Sequence, residues 1–107
     1  MRPAKLTPSQ IDAIATELSD WQLSADSTSL SLSLKFPSFA AAFAFMSQMA
    51  EAAEALDHHP DWSNSYRRVM IKLTTHDVGG LTALDTALAR QMSDAAQRFE
   101  AILLGGS

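Results

Sequence analysis

Hydrophobic spacing along the chain alternates between two periods, and each switch marks an element. Ile11, Ile14, Ala15 and Leu18 fall at i, i+3, i+4 and i+7, which predicts an amphipathic helix. Thr7-Pro8-Ser9-Gln10 starts it, with Thr7 as N-cap, Pro8 at the first helical position and Gln10 completing a capping box; the helix should end near Ser19 or Asp20. From Trp21 the period is two. Trp21, Leu23 and Ala25 alternate with polar residues, Asp26-Ser27-Thr28-Ser29 offers a turn, and Leu30, Leu32, Leu34 and Phe36 alternate with Ser31, Ser33 and Lys35. Two antiparallel strands with one wet face are expected.

Phe39, Ala42, Phe43, Met46, Met49, Ala50, Ala53 and Leu56 outline the apolar face of a second, alanine-rich helix that should stop at His58-His59-Pro60. Proline disfavours helical geometry in the residue before it, so His59 is expected to be extended while Glu54 is still helical. After a short segment around Trp62, Asn64-Ser65 can turn the chain into a strand in which Val69, Ile71 and Leu73 alternate with Arg68, Met70 and Lys72. Thr74 to Gly80 reads as a loop, Thr82 with Asp85 as another capping box, and Leu84, Leu88, Met92, Ala95, Phe99 and Leu103 as the buried side of a last helix ended by Gly105-Gly106.

The order helix, strand, strand, helix, strand, strand, helix predicts an α+β fold. The expected architecture is a four-stranded antiparallel sheet with three helices packed on one face, in one domain spanning residues 1–107. A ferredoxin-like arrangement is the alternative if the first helix is peripheral.

Length and composition narrow the chemistry. A chain of 107 residues buries roughly two-thirds of its unfolded surface, enough for one core, so an active site should be shallow or shared between subunits. Eight basic residues against twelve acidic ones give a net charge of -4. The basic residues look scattered, and Arg67 and Arg68 should lie on opposite faces of a strand without forming a patch, which disfavours direct nucleic-acid binding. With no cysteine, disulfides, thiolate metal sites and thiol nucleophiles are excluded. MRPAKLTPSQ lacks the apolar run of a signal peptide, and no stretch approaches the roughly 20 apolar residues of a membrane span, so no membrane association and a cytoplasmic location are expected.

All three histidines fall between His58 and His76, a segment that also holds Asp61, Trp62 and Tyr66, with Glu54 and Asp85 just outside. Neighbours in an extended segment point to opposite sides, so His58 and His59 should have different roles. If the helix persists to position 58, Glu54 lies four residues earlier on the same face, where it would accept from the His58 imidazole and fix its tautomer. Three readings follow. The histidines form a zinc site, although the spacing has neither H-E-x-x-H nor H-x-H; they carry metal-free general acid and base catalysis; or they are structural, with His58 at a helix C-terminus, His59 held by Pro60 and His76 an ordinary loop residue.

The run Glu54-x-x-x-His58-His59-Pro60-Asp61-Trp62, then Tyr66, then Thr74-Thr75-His76-Asp77-x-Gly79-Gly80-Leu81-Thr82 and Asp85, resembles the signature of the pterin-4a-carbinolamine dehydratases. A weaker likeness extends upstream to Trp21. Departures are Asp20, where that family commonly has Gly, and Leu34-Lys35-Phe36-Pro37-Ser38, where it has Arg-x-Phe-x-Phe.

The resemblance implies dehydration of 4a-hydroxytetrahydropterin to the quinonoid dihydropterin, a step that recycles the cofactor of aromatic amino acid hydroxylases and needs no metal or redox cofactor. It implies His58, His59 and His76 as the catalytic acid-base set with Glu54 tuning His58, and the carboxylate at helical spacing makes His58 the expected main proton-transfer group. Trp62 would be a wall for the pterin ring, Thr74 and Thr75 would bond its polar edge, and Asp85 would hold the loop bearing His76. A homodimer or homotetramer is expected, with a hydroxylase as the pathway neighbour. The competing class is an interaction module, a dimerisation cofactor or transcriptional coactivator, which need not keep Glu54, His58, His59 and His76 together.

Overall fold

The computed structural model describes residues 3–104. Helix α1 (Pro8–Glu17) begins as its sequence predicts: the Thr7 side chain accepts from the Gln10 amide and the Gln10 side chain accepts from the Thr7 amide. Strand β1 is only Gln22–Leu23, shorter than the alternation indicated. Asp26 ends it early. One of its carboxylate oxygens accepts from the Ser24 and Thr28 hydroxyls and the Thr28 amide, closing a turn on the spot. These bonds, led by the Thr28 hydroxyl, lower the Asp26 pKa below its ordinary 3.8.

Strand β2 (Leu30–Lys35), helix α2 (Phe39–Leu56), strands β3 (Asp61–Ser65) and β4 (Arg68–Leu73), and helix α3 (Ala83–Arg98) follow in the expected order. A fifth strand, β5 (Ile102–Leu103), was not expected. The sheet runs β1-β2-β4-β3, with β5 also paired to β2; β1 meets Leu30 and Ser31, and β5 meets Leu34 and Lys35. Every strand pairing is antiparallel, and the run β2-α2-β3-β4-α3-β5, with its strands ordered β5-β2-β4-β3, follows the connectivity of the ferredoxin-like alternative, to which α1 and β1 are added.

One face of the sheet is dry and the other wet. Leu30, Leu32, Leu34, Val69, Ile71 and Leu73 are buried beneath the helices, whereas Arg68, Met70 and Lys72 on the opposite face of β4 are exposed. The core is completed by Phe45, whose ring lies 4.9 Å from Phe36 and edge-on to Phe99 at 6.4 Å.

Three expectations drawn from the spacing change. Helix α2 buries Ala42, Phe45, Met49 and Ala53, leaving Phe39 and Phe43 exposed. A helix apolar almost all round has no strong stripe, so spacing alone does not set which face turns inward. Helix α3 ends at Arg98 because the Ala101 amide bonds the Ala96 carbonyl and the Glu100 amide bonds that of Gln97, with Glu100 left-handed at φ 59. Leu103, expected on that helix, is therefore an exposed strand residue, and the expected stop at Gly105-Gly106 lies outside the described residues. The β3–β4 turn is at Tyr66 and Arg67, since Ser65 already pairs with Arg68, and not at Asn64-Ser65.

Asp20, one of the departures noted in the sequence, has a defined place. The Ser93 hydroxyl donates to the Asp20 carboxylate at 2.6 Å and accepts from the buried Trp21 indole N–H at 2.8 Å, tying the end of α1 to α3. Among the described residues no helix is long and apolar enough to cross a membrane.

Candidate active site

The end of α2 decides how the histidines face. The helix stops at Leu56, and Asp57 takes the left-handed conformation at φ 49. The His58 amide then bonds the Ala53 carbonyl at 3.0 Å and the Asp57 amide bonds that of Glu54 at 3.1 Å, the paired bonds that reverse a chain at a helix C-terminus. That reversal turns His58 inward and swings His59 back toward the helix. The expected pairing of Glu54 with His58 is thereby overturned, because helical spacing no longer applies at position 58. Glu54 Oε2 instead lies 2.5 Å from His59 Nε2 at the surface.

His58 has a different and buried partner. Its Nε2 is 2.5 Å from Asp85 Oδ1, with the imidazole 5% exposed and the carboxylate fully buried. The other oxygen of Asp85 accepts from the Thr75 hydroxyl at 2.7 Å and the Thr82 amide at 2.9 Å, and the Thr75 and Thr82 hydroxyls lie 2.9 Å apart. An ionised carboxylate only accepts, so His58 must present N–H at Nε2, which leaves Nδ1 with its lone pair in the neutral ring. The capping box read at Thr82 is thus also the floor of the site.

His76 opens a 3₁₀ turn, His76–Val78, whose ends are pinned by the Thr75 amide bonding the Gly80 carbonyl at 2.9 Å. Gly79 turns the corner at φ 67, a conformation that favours glycine. The loop is held from behind by the Leu6 amide, which bonds the Leu81 carbonyl at 2.9 Å. His76 Nε2 lies 3.9 Å from Asp61 Oδ2, both side chains being exposed. Each imidazole thus has its own carboxylate.

His58, His59, Thr74, Thr75, His76 and Asp77 line one open recess of about 170 Å³, as shallow as the chain length requires. Glu54 and Asp85 stand behind it as partners of His59 and His58. The two threonines contribute less directly than expected: Thr75 bonds Asp85, and the Thr74 hydroxyl donates to the Thr28 carbonyl at 2.6 Å. Trp62 is half-buried on β3 beside a separate depression shared with Ser31, Ser33 and Met70, and does not line the histidine recess. Asp61, noted in the histidine segment, and Asp77 were given no role from the sequence, although both stand inside the signature runs. Among the described residues no three His, Asp or Glu side chains converge as a metal ion requires.

Together the fold and the recess define an α+β protein with three imidazoles around one open recess. The chain belongs to the pterin 4 alpha carbinolamine dehydratase family, whose model matches residues 4–95. It is 52% identical over 93 residues to a protein of Mesorhizobium japonicum provisionally named pterin-4-alpha-carbinolamine dehydratase, covering 87% of this chain and 95% of that one. A Rhizobium rhizogenes protein with the same provisional name is 50% identical, with 92% and 97% coverage. The crystal structure of a transcriptional coactivator/pterin dehydratase from Brucella melitensis superposes with a TM-score of 0.81 at 42% identity, over 86% of this chain and 98% of that one. A pterin dehydratase-like protein described as a RuBisCO assembly factor of the alpha-carboxysome shares the fold, with a TM-score of 0.62 at 22% identity over 72% and 89% of the two chains.

Proposed function

We propose that this protein is an enzyme that removes water from 4a-hydroxytetrahydropterin to give the quinonoid dihydropterin. The observation that carries the reading is the set of three imidazoles around one recess, each beside a carboxylate, in a chain of this family. The reaction requires the 4a-hydroxyl to depart as water while the N5 proton is lost and the C4a–N5 double bond forms. One group must give a proton and another must take one, which imidazoles do near neutral pH.

The geometry supports separate roles. His58, held by Asp85 in one tautomer, offers Nδ1 as the acceptor of the N5 proton and remains the main proton-transfer group, though with Asp85 behind it rather than Glu54. His59, solvent-facing and backed by Glu54, donates to the departing hydroxyl and exchanges protons with water. His76 binds the substrate edge on the loop that Asp85, Thr75 and Thr82 hold in place. Trp62 would reach the pterin only from the rim. The product would be reduced again for an aromatic amino acid hydroxylase, placing the protein in tetrahydropterin recycling in the cytoplasm.

Assembly into a homodimer or homotetramer is part of this reading. Phe39 and Phe43 are 47% and 57% exposed on α2 with ring centroids 5.9 Å apart, an apolar pair that a second copy would cover. The same surface supports a second reading, a partner-binding module of the kind named for the Brucella melitensis structure. Stopped-flow absorbance of quinonoid dihydropterin formation from enzymatically generated 4a-hydroxytetrahydropterin, with and without chelator, tests the first reading. A chelator-insensitive acceleration is expected; no acceleration leaves the binding module, and chelator sensitivity returns the zinc reading.

A further inference from the structure

The basic residues that look scattered in the sequence are gathered by the fold at the end of the sheet away from the histidines. Lys35 and Arg68 are directly opposite one another in the β2–β4 register, and Arg67 sits in the adjoining turn rather than on a strand face. Lys35, Ser65, Tyr66, Arg67 and Arg68 line a cavity of about 250 Å³ that no carboxylate lines among the described residues. Three of the eight basic residues of a chain with net charge -4 therefore meet at one place. Like charges directly opposite on neighbouring strands destabilise a sheet. Among the described residues none of the three is in an ion pair, whereas the surface Arg90 is paired with Glu17 at 2.6 Å.

A second observation is independent of the charge count. Arg67 Nε is buried and has no hydrogen-bond partner among the described residues. A buried donor left unmade is costly, and more so on a charged group. The Arg67 guanidinium carbon lies 5.4 Å from the centre of the Tyr66 ring, and Tyr66 itself is left-handed at φ 54, an uncommon conformation for a bulky residue.

We infer that this cavity binds a phosphate-class oxyanion, held by Lys35, Arg67 and Arg68 with the Ser65 hydroxyl beside them. Guanidinium groups match the oxygens of phosphate with paired N–H donors, and lysine adds a point charge. At about 30 Å³ per water, the cavity has room for a phosphate group and several hydrating waters. β4 runs six residues from Arg68 to Leu73 before the chain reaches Thr75, which separates this cavity from the histidine recess by on the order of 20 Å. The dehydratase reading therefore stands or falls separately.

The test is a titration of the full chain at constant ionic strength, followed by backbone amide shifts and thermal midpoint. Inorganic phosphate and phenyl phosphate are the probes, which separate the free anion from a phosphate ester. Saturable shifts at Lys35 and Ser65 to Arg68 are expected with at least one probe. Lys35→Gln and Arg68→Gln should each weaken that binding about tenfold, while Lys72→Gln, outside the cavity, should leave it unchanged. The unliganded Lys35→Gln protein should melt no lower than wild type, because a repulsion has been removed. Linear, unsaturable shifts with both probes would overturn the inference, as would equal binding by the Lys35 and Arg68 variants or a lower melting midpoint for unliganded Lys35→Gln.

Discussion

Asp85→Asn is the sharpest single perturbation of the site. It keeps the shape of a fully buried side chain that accepts from His58, Thr75 and the Thr82 amide, but removes its charge and one acceptor oxygen. The amide oxygen can still serve Thr75 and Thr82, which orients the amide N–H₂ at His58 Nε2. That nitrogen must then accept, so the imidazole proton moves to Nδ1, the atom assigned to take the N5 proton. Each hydrogen bond that loses charge assistance costs about 1 kcal/mol, so folding stability should fall by about 1–3 kcal/mol. At 4–8 °C per kcal/mol for a domain near this size, the melting midpoint drops by roughly 4–24 °C. Dehydration should fall much further, by about 10²–10⁴, the range that a positioned general base contributes. Stopped-flow rates give the activity, and long-range proton–nitrogen correlation of the histidine ring gives the tautomer. A folded variant with the proton on Nδ1 and an undiminished rate would refute the reasoning.

Further outcomes follow from the packing and from the turns. Phe45→Ala should cost about 3–5 kcal/mol in urea unfolding, since Phe45 is fully buried between Phe36 and Phe99, whereas the exposed Phe43→Glu should leave the monomer fold intact and lower the mass measured by sedimentation. Glu100→Gly should stabilise the protein by about 0.5–1 kcal/mol, because relief of the left-handed conformation outweighs the added freedom of the unfolded chain. The depressed Asp26 pKa means that the folded turn favours the ionised form, so its contribution is present above pH 3.8 and is lost as pH falls through the lowered value. Amide shifts of Ser24 to Ser29 should therefore move below pH 3.8 in wild type, and Asp26→Asn should abolish that titration.

The parts legible in the sequence were those set by local rules. Thr7 with Gln10 and Thr82 with Asp85 formed the capping boxes that their spacing predicted, and the alternation of β2 and β4 assigned the dry and wet faces correctly. What failed depended on contacts between distant residues. Leu103 continues the helical spacing of α3 but pairs with Leu34 in the sheet, and Phe43 has helical spacing but yields its place to Phe45. The site shows the same division. The histidines, Glu54 and Asp85 were found by motif, but their pairing turned on Asp57, whose left-handed backbone reverses the chain one residue before His58. Aspartate tolerates that conformation without announcing it, as glycine would have done.

The central claim is that the imidazoles of this recess dehydrate a 4a-hydroxytetrahydropterin. The most direct measurement compares stopped-flow quinonoid dihydropterin formation by wild type with that by a His58→Ala, His59→Ala, His76→Ala triple variant, whose fold is checked by its amide spectrum. Wild type should accelerate the step well above its spontaneous rate, and the folded triple variant should return it to that rate. A folded triple variant that still accelerates dehydration, or a wild type that does not, would contradict the account.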